Sequence, residues 1–316
     1  MENLVILNAE SIKKINFAMQ QNYVPIFRSI TIKNTSDKEL SSVTVRISFE
    51  PDFAKTYESA PMDISSGETV ELSPVNIIIS PEYLFGLTEK AVGCVTIEAF
   101  SGKETIGIKT ENIELLAYDQ WTGSAFMPEM ITAFVTPNHP KISDIISKAS
   151  LYMKKWSGDP SFTGYQTCNS NVVKMQMGAI YAALQEENIA YAPPPASYES
   201  AQRVRTPDVV LKGGLGTCLD LAVLYCACLE YIDLNPLLIV IKGHAFAGCW
   251  LESETFPDCI QYDCSALAKR IAKGVDIISV VECTDFAAGN GVDFDTAESH
   301  GISKLACGEN FFIQSI

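Results

Sequence analysis

One cysteine of this chain stands in a sequence context suited to nucleophilic catalysis. Cys218 follows the glycine-rich run of residues 213–217 and opens an apolar stretch that predicts a helix from about Cys218 to Tyr231. A thiol at a helix N-terminus lies against unpaired backbone N–H groups and the positive end of the helix dipole, and both favour the reactive thiolate. The same N–H groups can stabilise the oxyanion of a tetrahedral intermediate. We therefore predict that Cys218 attacks an acyl carbon.

A cysteine nucleophile needs a base, and His244 is the best placed of the three histidines. It follows Gly243 at the start of an apolar segment, residues 244–251, that predicts a strand, and a strand holds a side chain in a fixed direction. His139 lies in the turn-like sequence TPNHP, and His300 precedes a glycine at the predicted end of a short helix. Since such a base is oriented by a hydrogen-bond acceptor, we expect a third residue beside His244.

The orienting acceptor has three candidates. Glu282 lies in a predicted strand over residues 276–284, which can run beside the histidine strand in one sheet. Asp258 and Asp263 lie in the loop-like stretch TFPDCIQYDC and remain alternatives. Sheet geometry favours Glu282, so the predicted triad is Cys218, His244 and Glu282.

Four further residues are candidates for binding the oxyanion or the substrate. Gln166 and Gln202 carry amides that can donate to an oxyanion, with a polar structural contact as the alternative for each. Thr217 directly precedes the nucleophile, and Trp250 is in phase with His244 along one strand face. For Trp250 the alternatives are the core and the wall of a pocket.

The sequence indicates neither a metal nor a cofactor. The cysteine spacings do not give the paired CxxC pattern of a zinc site, and histidines are scarce. The run GGLGTC lacks the Gly-Lys-Ser/Thr of a phosphate-binding loop and does not follow the GxGxxG pattern.

The elements that must position these residues fall into two predicted domains. Residues 1–117 alternate short strands with turn signals, which is typical of an immunoglobulin-like β-sandwich. Its predicted strands cover residues 23–34, 43–49, 75–79, 91–100 and 104–116. Residues 118–316 predict an α+β domain. Its predicted helices cover 142–156, 171–185, 218–231 and 266–273, its strands cover 237–241, 244–251 and 276–284, and a proline-rich extended strap covers 190–207.

Composition limits the possible classes of function. Net charge is −15 and the pI is about 4.6, which argues against nucleic-acid binding by this chain alone. With 47% hydrophobic and 19% charged residues, global disorder is excluded. No apolar run reaches the ~18 residues that span a bilayer, and the N-terminus does not resemble a signal peptide. Ten cysteines without an export signal predict reduced thiols in the cytoplasm.

The order of cysteine at a helix start, histidine opening a strand and acid on the next strand resembles the transglutaminase-like superfamily, a branch of the papain-like cysteine enzymes. The acid there commonly lies in a strand ending Val-Asp-x-Thr, and residues 281–284, Val-Glu-Cys-Thr, are similar with glutamate replacing aspartate. Residues 252–275 fill an insertion between the two strands. The resemblance implies a transglutaminase-like α+β domain. The triad itself predicts a peptidase, amidase or transglutaminase that acts on a peptide or protein through a thioester.

A second likeness covers most of the chain. The segments YDQW, FVTPN, GYQ, PPPASYE, QRVRTPD, GTCLDLA, LNPLL and GHAFAGCWLE resemble the N-terminal region of large bacterial superfamily 1 helicase-like proteins. In those proteins a β-sandwich and a transglutaminase-like module precede ATPase and nuclease-like parts. The likeness implies that this chain is a fragment or a short relative, with a helicase or nuclease module as partner. A non-catalytic module that binds a peptide or protein is the alternative function.

Overall fold

The computed structural model describes residues 4–193, 201–305 and 311–316. The chain divides into two compact units, Met1–Thr122 and Gly123–Ile316. Sheets and helices both occur, so the protein is a multidomain α+β protein, which confirms the general class predicted from the sequence. Part of the predicted proline-rich strap, residues 194–200, lies outside the described residues.

The first unit contains a three-stranded and a six-stranded sheet. The smaller sheet has antiparallel neighbours in the order Val5–Ser11, Phe27–Asn34 and Thr69–Leu72. The larger sheet has the order Lys14–Ile15, Glu104–Leu115, Ala91–Ser101, Leu40–Glu50 and Tyr57–Glu58, with Met62–Ile64 also paired to Leu40–Glu50. Lys14–Ile15 runs parallel to its neighbour. Two short helices, Phe17–Gln21 and Pro81–Phe85, lie between strands.

Alternation of apolar and polar residues explains the strands of the first unit. Along Leu40–Glu50, the side chains of Val43, Val45 and Ile47 are fully buried while their neighbours face outward. Successive side chains of a strand point to opposite faces, so this pattern gives the sheet one apolar face. The predicted hairpin at residues 101–102 is present, because Ser101 pairs with Glu104 across a turn.

The predicted strand at residues 75–79 is wrong. Only Ile79 forms a bridge there, with Ala54, among the described residues of this segment. Val75 is buried, but the neighbouring Ile78 is exposed. β-branched residues fit a sheet surface, yet a strand also needs a neighbouring backbone with which to build a ladder of hydrogen bonds.

The second unit is built on one antiparallel sheet. Within the described residues its strands lie in the order Ile260–Gln261, Phe312–Ser315, Pro236–Ile241, His244–Trp250 and Ile278–Val281. We call His244–Trp250 the histidine strand. The helices of this unit are Pro140–Ser157, Ser170–Gln185, Pro207–Gly213, Cys218–Tyr231, Cys264–Ile271 and Phe294–Lys304, with 3-10 turns at Pro128–Phe134 and Cys283–Phe286.

The helix Cys218–Tyr231, which we call the cysteine helix, forms the centre of this unit. Every residue from Cys218 to Leu229 is buried, and the helix packs against the strands Pro236–Ile241 and His244–Trp250. A helix that is apolar on all sides is stable only inside a core. Its burial brings the thiol at its start close to the sheet that carries the histidine.

Three described α-helices were not predicted from the sequence: the short helices Phe17–Gln21 and Pro81–Phe85, and the helix Pro207–Gly213. The helix Pro207–Gly213 begins with proline in its first turn and an acidic Asp208, and it ends at Gly214 with φ +60°. These are ordinary start and stop signals of a helix. The short length of Pro207–Gly213 leaves little apolar periodicity, which is the main signal of a helix in a sequence.

Candidate active site

Cys218 is the first residue of the cysteine helix, and a capping box holds the backbone just before it. The Thr217 hydroxyl accepts a hydrogen bond from the Asp220 N–H at 3.2 Å, and the Asp220 carboxylate accepts one from the Thr217 N–H at 2.9 Å. This reciprocal pair satisfies two of the free N–H groups of the helix start. Thr217 therefore stabilises the helix start that presents Cys218.

A buried ion pair supports the same helix start. Asp220 is fully buried, and its carboxylate accepts hydrogen bonds from Arg205 through the backbone N–H at 2.8 Å and the guanidinium at 2.6 Å. A buried carboxylate is tolerated when it is paired and hydrogen-bonded in this way. The pair ties the segment around Arg205 to the backbone that presents Cys218.

His244 opens the histidine strand, and Glu282 is its carboxylate partner. The imidazole Nε2 lies 2.8 Å from Oε2 of Glu282. The His244 side chain is 17% exposed and the Glu282 side chain 1%. The Cys218 thiol lies near enough to the imidazole to raise the pKa of His244. Since Nε2 is engaged by Glu282, Nδ1 is the ring nitrogen left for the sulfur.

Glu282 lies one residue beyond its strand, which ends at Val281, and it caps the 3-10 turn Cys283–Phe286. Its Oε1 accepts hydrogen bonds from the Thr284 N–H at 2.9 Å and hydroxyl at 2.6 Å. Its Oε2 lies 2.7 Å from Nζ of Lys304 as well as next to the imidazole. Both oxygens are saturated with donors, so the carboxylate has one orientation.

The charges of this cluster shift its pKa values in opposite directions. Burial lowers the pKa of His244, but the hydrogen bonds to Cys218 and Glu282 outweigh burial and raise it to about 9. Burial raises the pKa of Glu282, but the hydrogen bond to His244, its charge and the Lys304 ammonium lower it to about 2. At neutral pH the imidazole is therefore a cation beside an ionised carboxylate.

Tyr191 contacts the thiol from another element. The short strand Ala190–Tyr191 pairs in parallel with Leu215–Gly216, which ends two residues before Cys218. Burial raises the pKa of the Tyr191 phenol, and the charges of Cys218 and Glu282 and a side-chain interaction with Cys218 raise it further. A phenol that stays protonated is a hydrogen-bond donor towards the sulfur.

Gln202 lies beside the cap of the cysteine helix. It is 1% exposed, and its Nε2 lies 3.4 Å from Oγ1 of Thr217. Its Oε1 is buried and finds no hydrogen-bond partner among the described residues. Gln202 thus remains a candidate for the oxyanion site, whereas Gln166 is exposed on the surface of the second unit.

Three other predicted site residues lie elsewhere. Asp258 and Asp263 are both exposed, and Asp263 caps the helix Cys264–Ile271 through the Ser265 N–H. Neither is the carboxylate at Nε2 of His244, which is Glu282. Trp250 is 1% exposed in the core, where its ring packs on Phe256. It shares a strand face with His244, but six residues of strand separate the two by about 20 Å.

The other cysteines differ from Cys218 in their surroundings. Burial raises the pKa of the thiols of Cys226, Cys228, Cys249 and Cys283, which makes them unreactive. Cys264 is disulfide-bonded, so the expectation that all cysteines are reduced is wrong for this residue. The described residues contain no cluster of three or more potential metal ligands.

A membrane-spanning helix is not found either. In the part of the chain that the structure describes, no helix combines the length and the apolar character needed to cross a bilayer.

Comparison with known proteins gives no family assignment. No protein-family model and no curated protein matches the chain. Among solved structures, it is similar to the Amycolatopsis orientalis exo-chitosanase CsxA at 11% identity and a TM-score of 0.26, covering 58% of this chain and 27% of that one. It is also similar to a putative protease from Parabacteroides distasonis at 10% identity and a TM-score of 0.26, covering 84% of this chain and 66% of that one.

A third similar structure is the native conformation of E. coli alpha-2-macroglobulin, at 10% identity and a TM-score of 0.25. The match covers 71% of this chain and 15% of that one. The chain thus spans less than two thirds of each of these three proteins. Likenesses at these TM-scores support no inference about fold or function.

Proposed function

We propose that the second unit is a transglutaminase-like cysteine enzyme that transfers acyl groups through a thioester on Cys218. The observation that carries this proposal is the pairing of His244 with Glu282 at 2.8 Å beside Cys218, whose thiol is near enough to raise the pKa of the imidazole. A thiol at a helix start beside a charged imidazole is the arrangement that activates a cysteine nucleophile.

In the proposed reaction, the Cys218 thiolate attacks the carbonyl carbon of an amide or ester, and a carbon–sulfur bond forms. His244 Nδ1 gives its proton to the leaving amine or alcohol as the bond to the carbonyl carbon breaks. Water or an amine then attacks the thioester and gives a proton to His244, and the thiolate leaves. Glu282 stays ionised throughout and keeps the imidazole turned towards the sulfur.

The N–H groups at the start of the cysteine helix provide the nearest place for the developing oxyanion. Gln202 supports the same role, since its amide is buried next to Thr217. A peptide or protein is the proposed substrate, because its backbone and its Asn and Gln side chains contain the amide carbonyls that the proposed reaction attacks. We propose further that the first unit is an immunoglobulin-like sandwich, and that the chain is related to the N-terminal module of superfamily 1 helicase-like proteins.

One observation favours the alternative, a binding module without catalysis. The Cys218 side chain is fully buried, so an acyl carbon reaches it only after a neighbouring group moves. Labelling with an electrophilic peptide probe, followed by mass-spectrometric mapping of the adduct, decides between the two. If the protein is a cysteine enzyme, we expect an adduct on Cys218. Labelling of the exposed Cys168 and Cys259 alone would favour the non-catalytic binding module.

The pH dependence of amide cleavage provides a second test. We expect the rate to fall as pH rises through about 9, because the imidazolium that protonates the leaving amine is lost there. A nitrophenyl ester, whose leaving group needs no proton, should show no such fall. The measurement is kcat/KM for both substrates from about pH 6 to about pH 10. A rate of amide cleavage that does not fall above about pH 9 contradicts the assignment of His244 as the acid.

The contact between Tyr191 and the thiol gives a further prediction. Tyr191→Phe keeps the ring and removes the hydroxyl that donates towards the sulfur. We expect iodoacetamide to label Cys218 roughly three- to tenfold more slowly at about pH 6, since the thiolate loses one hydrogen bond. Tyr262→Phe, which changes an exposed tyrosine, is the control. Equal labelling rates in both variants and the native protein would exclude this role.

A further inference from the structure

The helix Phe294–Lys304 contacts Glu282 through one of its faces. The Ala297 carbonyl accepts the Glu282 N–H at 3.0 Å. At Gly301, an added Cβ would lie 3.1 Å from the Val280 carbonyl oxygen and 3.2 Å from the Glu282 nitrogen. The ammonium of Lys304 then reaches Oε2 of Glu282 at 2.7 Å. The spacing i, i+4, i+7 puts these three residues on one side of the helix. The helix therefore contacts Glu282 with its backbone at Ala297 and Gly301 and with the ammonium of Lys304.

Lys304 also lies close to the base itself. Its Nζ is 3.4 Å from Nε2 of His244, and both nitrogens contact the same oxygen of Glu282, at 2.7 Å and 2.8 Å. An ammonium has donors and no acceptor, and an ionised carboxylate only accepts. Nε2 must therefore carry the hydrogen of its contact with Glu282. Lys304 and His244 are two donors that share one carboxylate oxygen, and they repel each other when the imidazole is charged.

We propose that Lys304 is a positioning residue that lowers the proton affinity of His244 by taking up part of the charge of Glu282. The catalytic consequence rests on the proposed function, because His244 must release its proton to a leaving group. An imidazolium that faced Glu282 alone would hold its proton too firmly to be an effective acid. Lys304 offsets this while Thr284 and the helix keep the carboxylate in place.

The other groups around His244 do not supply this charge. The cysteine helix contributes Cys218, which never carries a positive charge, and Ala190–Tyr191 contributes a neutral phenol. Phe246 stacks against the imidazole and is apolar. Beyond these, the described part of the site has Asp285, which is paired to His300 at 2.7 Å, and Lys242, which is exposed in the turn before the histidine strand.

The test is a pH titration of His244 in Lys304→Met. The titration is monitored by NMR on protein whose histidine rings are labelled with carbon-13. We expect the pKa of His244 to rise by roughly one to three pKa units, the range from bulk water to a partly buried site for the loss of a unit charge 3.4 Å away. Lys304→Arg keeps the charge and should restore the native value. Lys304→Gln is the second neutral variant if Lys304→Met does not fold.

Lys174→Met is the matched control. Lys174 pairs with Glu298 of the same helix at 2.5 Å, so this variant removes a lysine that contacts the helix without changing the charges around Glu282. An equal shift in Lys174→Met would mean that the effect is structural, and the proposal fails. An unchanged or lower pKa of His244 in a folded neutral variant also overturns it.

Turnover separates this proposal from the proposed function. In the neutral variants we expect kcat to fall roughly three- to tenfold with little change in KM, since the acid is weaker while binding is unaltered. If Cys218 is not a nucleophile, no variant transfers an acyl group, and the proposed function fails. The difference between the titration curves of native protein and Lys304→Met still tests Lys304 in that case.

Discussion

Cys218→Ala is expected to abolish acyl transfer, with a fall in kcat/KM of at least about 10⁴-fold. The thiolate is the atom that bonds to the acyl carbon, and alanine offers no nucleophile at the helix start. The loss should come with an intact fold, because the alanine leaves the capping box of Thr217 and Asp220 in place. The rate of product release from an amide substrate and the mass of the trapped acyl-enzyme measure the effect.

The control for this prediction is Cys259→Ala, which removes an exposed free thiol outside the site. It should retain native activity and lose only its own label with iodoacetamide. If Cys218→Ala keeps roughly a tenth or more of the native rate, a group other than Cys218 must be the nucleophile.

Glu282→Gln is expected to have the next largest effect, a fall in kcat of roughly 10²–10⁴-fold. Glutamine has nearly the same shape, but only one of its two terminal atoms accepts hydrogen bonds. Its amide nitrogen must face hydrogen-bond donors in either orientation. These donors are those of Thr284 in one orientation, and those of His244 and Lys304 in the other. The imidazole then loses its charged partner, and the orientation of Nδ1 towards the sulfur is no longer maintained.

Asp263→Asn is the control, because Asp263 was an alternative acid and the structure gives it a capping role instead. Asparagine is also a good helix cap, so this variant should fold and retain nearly full activity. A loss in Asp263→Asn as large as that in Glu282→Gln would contradict the assignment of Glu282.

Glu282→Gln should also lower the free energy of unfolding, by an amount that depends on pH. The lowered pKa of Glu282 stabilises the fold above about 4.5 and ceases to do so as pH falls through about 2. The raised pKa of His244 stabilises it below about 6.5, and this contribution is lost as pH rises through about 9. The native protein should therefore exceed Glu282→Gln in free energy of unfolding most between pH 4.5 and 6.5, by about 2–4 kcal/mol. Urea unfolding across this range measures it, and a difference that is the same at every pH would refute the linkage.

The nucleophile and base candidates are local features, which is why one sequence suffices to single them out. Cys218 is marked by a glycine run before it and an apolar helix after it, and His244 by a glycine and an apolar strand. Each of these signals depends on backbone preferences within about one turn or one strand. The bounds of the cysteine helix and of the histidine strand accordingly agree with the sequence analysis within one residue.

The residues missed by the sequence analysis are those that reach the site from distant segments. Tyr191 arrives through a two-residue parallel strand beside Leu215–Gly216, and Lys304 through the face of a separate helix. Neither stands near Cys218 or His244 in sequence, and a lone tyrosine or lysine carries no periodic signal. Gly301 was the one available hint, because a glycine within a helix often marks a close approach to backbone.

The sequence by itself determined where the elements with strong local patterns begin and end, and which residue types stand at their starts. It favoured Glu282 as the acid but kept Asp258 and Asp263 as alternatives, since a carboxylate has no sequence signal for the imidazole it will meet. The antiparallel pairing of His244–Trp250 with Ile278–Val281 made that choice, by bringing the end of one strand to the start of the other. For Trp250, the prediction that it shares a strand face with His244 did not bring it to the site. It lies in the core, about 20 Å from His244 along the strand. Contacts between distant segments depend on how apolar faces pack, and that information lies in the whole chain rather than in any one stretch of it.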